Sequence, residues 1–295
     1  MAVGDRLTRI TWAVVLSLAV GAGSSACTIV SPPPAGATPA ATKSSHDSRN
    51  PSPSHTPSAS HSHRPSQPAK PLAGKVIGID PGHNGLNHTD PAYLNHLIWN
   101  GRERETCDTT GTQTASGYSE ALFNFSVALY LRADLRKDGA SVVMTRQNND
   151  GLGPCVDKRS RIINAAHADV AIDIHADGGP VSGRGFTVLE PIPDGPNDGV
   201  ISSSMRLGSY VHEAFLADTP FGVSDYYGHD GYIRRNDLAG LNLTTVPKVL
   251  IECGNMPNPA DAALLTSAKV QKEIARALEA AIIRFLTGRW PAGTG

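Results

Sequence analysis

Two histidines and two glutamates have the types and the placement of a catalytic metal site. His83 follows a short apolar run in DPGH, Glu120 opens a helical pattern, and His175 and Glu252 end the runs DVAIDIH and PKVLIE. Catalytic zinc takes three nitrogen or oxygen ligands from the protein and keeps a further position open. Two histidines and one carboxylate supply that set, and a second carboxylate can transfer protons. The four residues together predict zinc-assisted hydrolysis.

Each of these residues also has a simpler explanation when it is taken alone. A histidine after Pro-Gly is common in turns, Glu120 could serve only the helix dipole, and Glu252 could be half of a buried ion pair. Their joint order along the chain, each at the end of a predicted element, favours the metal site.

The elements that must position these residues alternate between strand and helix. The hydrophobic patterns predict strands over residues 75–80, 141–145, 169–175, 185–190 and 247–252, and helices over residues 119–137, 157–168, 201–217 and 270–286. Such alternation is typical of an α/β domain with helices on both faces of one sheet. Sites in these domains gather where strands end, which is where three of the four residues lie.

Five stretches carry a family resemblance. They are VIGIDPGHNG (76–85), SEALFN (119–124), VMTR (143–146), RSRIINAAHADVAIDIHAD (159–177) and PKVLIECGN (247–255). On these stretches, residues 75–286 resemble the zinc-dependent N-acetylmuramoyl-L-alanine amidases of the amidase-3 family.

The resemblance implies both a fold and a chemistry. The fold is a single α/β domain with a mixed, mostly parallel sheet of about six strands and helices on both faces. One Zn²⁺ per chain is bound by His83, Glu120 and His175, and Glu252 is the catalytic carboxylate. The substrate is peptidoglycan, cut at the amide bond between the lactyl group of N-acetylmuramic acid and L-alanine of the stem peptide.

One departure from the family pattern bears on the metal site. Asp173 stands where the family often has serine, and it shares a strand face with His175 two residues later. Asp173 could orient the ring of His175, directly or through a water, or it could pair with a basic side chain such as Arg146 or Arg159. The alternative is an aspartate at a wet edge of the sheet.

The N-terminal 73 residues predict export. Arg6 and Arg9 precede a short apolar run and small residues, which is typical of a signal peptide over residues 1–26, although an uncleaved anchor helix is the alternative. The site at Cys27 resembles a bacterial lipobox, with Ser24 in place of the usual leucine, so we weigh a lipid-anchored protein against free secretion. Residues 27–73 are rich in Pro, Ser, Thr and His and predict a disordered tether, which leaves residues 74–290 as the catalytic domain.

Two loop cysteines are natural partners in an oxidising envelope. Cys107 and Cys155 lie in polar, glycine-containing loops, and we expect them to form a disulfide, with free thiols as the alternative.

The net charge of the chain argues against nucleic acid as a partner. The 295 residues carry 26 basic and 27 acidic side chains, so no global charge attracts nucleic acid. We expect a monomer that acts on muramyl peptides, attached to the membrane only if Cys27 is lipidated. Two other functions stay open: a zinc peptidase that cuts within the stem peptide, and a lipoprotein that binds zinc or cell wall without cutting.

Overall fold

The structure is a computed structural model that describes residues 70–291. The predicted signal peptide, Cys27 and all but the last residues of the predicted tether lie outside this range. Within residues 70–291, no helix combines the length and the apolar composition that a membrane span requires.

The described residues form eight strands and seven helices. The strands are β1 (Val76–Pro81), β2 (Leu97–Trp99), β3 (Arg104–Thr106), β4 (Ser141–Met144), β5 (Val170–Asp177), β6 (Thr187–Pro191), β7 (Tyr232–Arg235) and β8 (Lys248–Asn255). The helices are α1 (Pro91–Asn95), α2 (Glu120–Lys137), α3 (Val156–Ala165), α4 (Ile201–Asp218), α5 (Ala239–Asn242), α6 (Pro259–Leu265) and α7 (Ala268–Thr287). All nine predicted elements are present.

Six strands form one mixed sheet in the order β4-β1-β5-β8-β6-β7. Neighbours from β4 to β8 are parallel, β6 runs antiparallel to β8, and β7 is parallel to β6. Strands β2 and β3 form a separate antiparallel hairpin. The predicted α/β fold with a mostly parallel sheet of six strands is therefore confirmed.

The two faces of the sheet are covered differently. Helices α2, α4 and α7 bury a large apolar cluster against one face, with Phe123 and Phe215 among its fully buried side chains. On the other face α3 packs Ile163 against Ala171, and α5 packs Leu241 against Leu250. This second face is covered by short elements, and it carries the polar side chains of the site.

Several local expectations need correction. Helix α2 buries Phe123 and Val127, and it exposes Leu122, which is 39% exposed. Helix α3 ends at Ala165 rather than residue 168, because His167 adopts a left-handed φ of 48° that a helix cannot contain. Strand β8 continues past Glu252 to Asn255.

Candidate metal centre

Three predicted ligands converge at the carboxyl ends of β1 and β5. Oε1 of Glu120 lies 3.2 Å from Nε2 of His83 and 2.9 Å from Nδ1 of His175. Glu120 is placed by α2, whose first turn is capped by the Ser119 hydroxyl accepting from the Leu122 amide. The turn after β1, the end of β5 and the start of α2 thus bring together the side chains that the sequence predicted as ligands.

These donors fit a zinc ion. All three ligand atoms lie within 4.8 Å of one another. Bonds of about 2.0–2.1 Å in a tetrahedron place neighbouring ligand atoms roughly 3.3 Å apart, close to the two separations from Glu120. An imidazole–imidazole–carboxylate set is also one that catalytic zinc accepts.

Each histidine has a carboxylate at its other ring nitrogen. Nδ1 of His83 lies 3.0 Å from Oδ1 of Asp108, and Nε2 of His175 lies 3.3 Å from Oδ1 of Asp173. A carboxylate in this position fixes the tautomer and the ring orientation of a metal-binding histidine. The arrangement leaves Nε2 of His83 and Nδ1 of His175 for a metal. The sequence predicts this position for Asp173, whereas Asp108 carries no signal that indicates it.

Asp173 does not pair with either arginine named in the sequence analysis. Its Oδ2 lies 2.9 Å from Nζ of Lys248, and the residue is only 5% exposed. Asp173 therefore has a basic partner, which is Lys248 rather than Arg146 or Arg159. The wet sheet edge is wrong, because β5 lies between two strands and Lys248 comes from the neighbouring β8.

Arg146 and Arg159 instead hold the turn that carries His83. Nε of Arg146 donates to the carbonyl of Pro81 at 2.8 Å, and its Nη2 donates to the carbonyls of Gly82 and Ala121. Arg159 donates to the carbonyls of Pro81 and His83, both at 2.7 Å. These donors fix a turn in which His83 has a left-handed φ of 57°.

Burial and neighbouring charges shift the pKa values of His83, Glu120 and His175 in opposite directions. Burial alone would lower the pKa of His83, but attraction to Glu120 and the hydrogen bond with Asp108 raise it to about 9. Burial would also lower the pKa of His175, but hydrogen bonds that its ring donates to Asp173 and Glu120 raise this pKa well above its usual range. Burial would raise the pKa of Glu120, yet both histidines hold it well below its usual range. The pocket favours positive charge between the three side chains.

Glu252 lies beside this group without belonging to it. It is paired with His175 in the β5–β8 register, and its Oε2 is buried with no hydrogen-bond partner among the described residues. Burial, with repulsion from Glu120 and Asp177, raises the pKa of Glu252 to about 8, although both histidines act in the opposite direction. A cation held by the three ligands would lower this pKa again. The carboxylate is thus free to act on a water or a substrate.

The predicted disulfide is present and supports the same site. It joins Cys107 to Cys155, which immediately precedes α3. Asp108 directly follows Cys107, so the crosslink anchors the loop that brings Asp108 to His83. His96 lies within ligand distance of both sulfurs, but the disulfide occupies them, and this second cluster has no thiolate to offer a metal.

A cavity of about 190 Å³ opens beside the two histidines. Its walls include apolar side chains of the loop before α5 and of β8, such as Leu238 and Leu250, and the carboxylates of Asp80 and Asp173. The cavity is therefore lined by residues that lie behind the histidines as well as by the histidines themselves.

Comparison with known proteins agrees with this geometry. The family Amidase_3, described as N-acetylmuramoyl-L-alanine amidase, matches residues 77–284. An N-acetylmuramoyl-L-alanine amidase of Mycobacterium tuberculosis is 40% identical over 216 residues, which are 73% of this chain and 88% of that protein.

Two solved structures have the same fold. The amidase Ami1 of Mycobacterium smegmatis superposes with a TM-score of 0.70 at 37% identity, over 74% of this chain and 99% of that one. The apo form of Ami1 from Mycobacterium abscessus gives a TM-score of 0.69 at 37% identity, over 73% of this chain and 100% of that one. Since the family match also contains the three converging side chains and Glu252, this chain belongs to the amidase-3 family of N-acetylmuramoyl-L-alanine amidases.

Proposed function

We propose that this chain is a zinc-dependent peptidoglycan amidase that hydrolyses the bond between the lactyl group of N-acetylmuramic acid and L-alanine of the stem peptide. The observation that carries the proposal is the convergence of His83, Glu120 and His175 beside a carboxylate, Glu252, whose Oε2 has no partner among the described residues. Membership of the amidase-3 family supports the choice of substrate.

The three converging side chains would hold the metal. His83 binds through Nε2, His175 through Nδ1, and Glu120 through Oε1, which already faces both rings. Zinc, when bound, supplies Lewis acidity that polarises a carbonyl and brings the pKa of water to about 7. Asp108 and Asp173 hold the two imidazoles in the tautomers that this binding requires.

Glu252 would move the proton. Its buried oxygen can accept a proton from the attacking water and return it to the departing nitrogen of L-alanine. A carboxylate without hydrogen-bond donors of its own keeps its basicity for this purpose. This requirement for a free carboxylate favours hydrolysis over simple binding of zinc or cell wall.

The place of action follows from the N-terminal residues and the family. We propose export to the cell envelope by a signal peptide over residues 1–26, followed either by a lipid on Cys27 or by free secretion. Because Leu72 packs in the core, the tether that starts at residue 27 ends before it rather than at residue 73. Mass spectrometry of the mature N-terminus distinguishes a diacylated Cys27 from a free one.

Product analysis tests the chemistry directly. The zinc-loaded chain is incubated with peptidoglycan and the products are identified by mass spectrometry. We expect intact stem peptides with a free N-terminal alanine and glycan strands without peptides. Shortened stem peptides that stay attached to glycan would identify a peptidase instead. The Glu252→Gln variant is the matched control, since it changes one oxygen of the proton-transferring group.

A further inference from the structure

A closed ring of buried charged and polar side chains connects the two histidines of the metal centre. Each member lies within 3.3 Å of the next. We call it the charge ring, and its members in order are His83, Asp108, Arg159, Asp80, Lys248, Asp173, His175 and Glu120.

Lys248 is the member whose role the metal centre alone does not explain. It begins β8, is 1% exposed, and its Nζ lies 2.7 Å from Oδ2 of Asp80 and 2.9 Å from Oδ2 of Asp173. The other oxygen of Asp173 faces Nε2 of His175. The ammonium group therefore determines which way the Asp173 carboxylate is turned.

The contact between Lys248 and Asp80 connects Lys248 to His83 through Arg159 and Asp108. The remaining oxygen of Asp80 lies 3.0 Å from Nη1 of Arg159, and Nη2 of Arg159 lies 3.3 Å from Oδ2 of Asp108. Asp108 in turn faces Nδ1 of His83. One ammonium group thus contacts two carboxylates, each of which leads to one histidine.

Stability alone is a weak reason for this arrangement. Removing a lysine and its counter-charges from water is costly, and apolar side chains of similar volume often replace buried ion pairs without loss of stability. Ala171 and Leu250, on the same two strands as Asp173 and Lys248, are apolar neighbours on this face of the sheet. A buried lysine here gives a defined direction to two carboxylates, which an apolar side chain cannot do.

We propose that Lys248 is a positioning residue of the metal centre. It holds Asp173, and through Asp80 also Arg159 and Asp108, so that both histidines keep one nitrogen directed at the metal. The inference rests on the proposed function insofar as His83 and His175 bind zinc. It adds a residue that touches neither the metal nor the substrate.

The test measures metal binding by the full chain without substrate. Lys248→Met removes the ammonium group and keeps most of the volume. We expect zinc affinity, measured by competition with a chelator, to fall about 10-fold to 100-fold, and the visible spectrum of the Co²⁺-loaded protein to change. Lys75→Met is the matched control, because Lys75 pairs with Asp169 at 3.1 Å before the amino end of β1, where no ligand lies.

A second variant separates positioning from folding. Lys248→Met combined with Asp80→Asn removes one buried charge of each sign and limits the loss of stability. Asp173 still lacks its partner in this variant, so weak zinc binding should persist beside a restored melting temperature. If Lys248→Met fails to fold, the double variant decides by the same two readouts.

Chemical rescue gives a readout that a merely structural role would not produce. In Lys248→Ala the lost side chain leaves space beside Asp80 and Asp173, two residues that also line the cavity at the metal centre. Methylammonium should restore zinc affinity, whereas tetramethylammonium should not, because it has no N–H to donate. Absence of rescue in a folded Lys248→Ala protein counts against the proposal.

The outcomes distinguish this inference from the proposed function. A parent chain that binds no zinc contradicts both. A parent chain that binds zinc, beside a folded Lys248→Met variant with equal affinity and an unchanged Co²⁺ spectrum, contradicts the role of Lys248 alone.

Discussion

The two glutamates of the site, Glu120 and Glu252, differ in the hydrogen-bond partners of their carboxylate oxygens. Oε1 of Glu120 faces both histidines and its Oε2 accepts the Thr112 amide at 2.9 Å, so both oxygens are engaged. Glu252 has a buried oxygen with no partner among the described residues. The same residue type can thus serve as a ligand in one place and as a proton carrier in the other, because the strand register and the helix start give them different neighbours.

Replacing Glu252 should separate chemistry from metal binding. Glu252→Gln keeps the shape and should retain about one zinc ion per chain, since three ligands remain. Turnover should fall by at least about 100-fold, because an amide cannot take the water proton. Metal analysis and the rate of release of stem peptides check the two statements. His83→Ala is the contrast, as it should lose zinc, and a Glu252→Gln protein without zinc would reverse the assigned roles.

The carboxylate behind each histidine should tune metal affinity. Asp173→Ala leaves Nε2 of His175 without its partner, and zinc affinity should fall about 10-fold to 100-fold while the fold persists. Asp173→Asn keeps a carbonyl oxygen that can accept the ring N–H, so its affinity should lie between those of the parent and Asp173→Ala. Chelator competition measures all three. Equal affinities would mean that another group orients His175.

The candidate ligands could be predicted from the sequence, whereas Asp108 and Lys248, which lie behind them, could not. His83, Glu120, His175 and Glu252 could be predicted because each stands at the start or end of a readable element. Asp108 lies 25 residues from His83, after a hairpin whose strands have three residues each, and such short runs carry too weak a period to be recognised.

Lys248 escaped recognition for a different reason. A lysine at the start of a strand is usually exposed, and only the fold brings it between Asp80 and Asp173.

At the scale of elements, buried strands were the easiest to predict. Strands β1, β5 and β8 are rich in Val, Ile and Leu because both faces of the sheet are covered, and each carries only a few polar residues. Strand β7 was missed, since its YIRR sequence lies at the sheet edge and has little apolar content. Strand order and the reversed direction of β6 depend on tertiary pairing, which no local pattern contains.

Close contact between β1 and β5 makes the turn after β1 sensitive to any added atom. A Cβ on Gly82 would lie 2.1 Å from Cε1 of His175, while hydrogen bonds from the Gly82 amide to Ile174 and from Arg146 to the Gly82 carbonyl prevent retreat of the backbone. Gly82→Ala should therefore displace the His175 ring and reduce turnover about 100-fold, as misplacement of about 1 Å can do.

Gly199→Ala is the control for this prediction, because no atom lies within 4 Å of its added Cβ. Rates of peptide release and zinc content of both variants give the comparison. A Gly82→Ala protein with parent activity would show that the ring of His175 can shift without losing the metal.

For the folded domain as a whole, one face of the sheet contributes mainly stability and the other carries charged residues of the metal site. The face under α2, α4 and α7 is an extended apolar cluster that supplies most of the burial. The opposite face carries the charge ring, whose burial brings desolvation costs that the apolar face must offset. Substitutions on the apolar face should therefore change stability with little effect on metal binding.

Leu72 tests this division and also the start of the folded unit, which the sequence placed at residue 74. Leu72 is fully buried in the apolar cluster, and its amide donates to the Asp138 carbonyl at 3.0 Å. Leu72→Ala should lower the free energy of unfolding by about 2–5 kcal/mol, because the removed side chain leaves a cavity. Leu152→Ala, at a residue that is 41% exposed, should change the free energy of unfolding by about 0.5 kcal/mol or less.

Denaturant titration and zinc affinity are measured on both variants. Zinc affinity should stay at the parent value, because Leu72 lies before the amino end of β1 and the ligands lie beyond the carboxyl end of that strand. An unfolding free energy of Leu72→Ala equal to that of Leu152→Ala would place the start of the folded unit after Leu72.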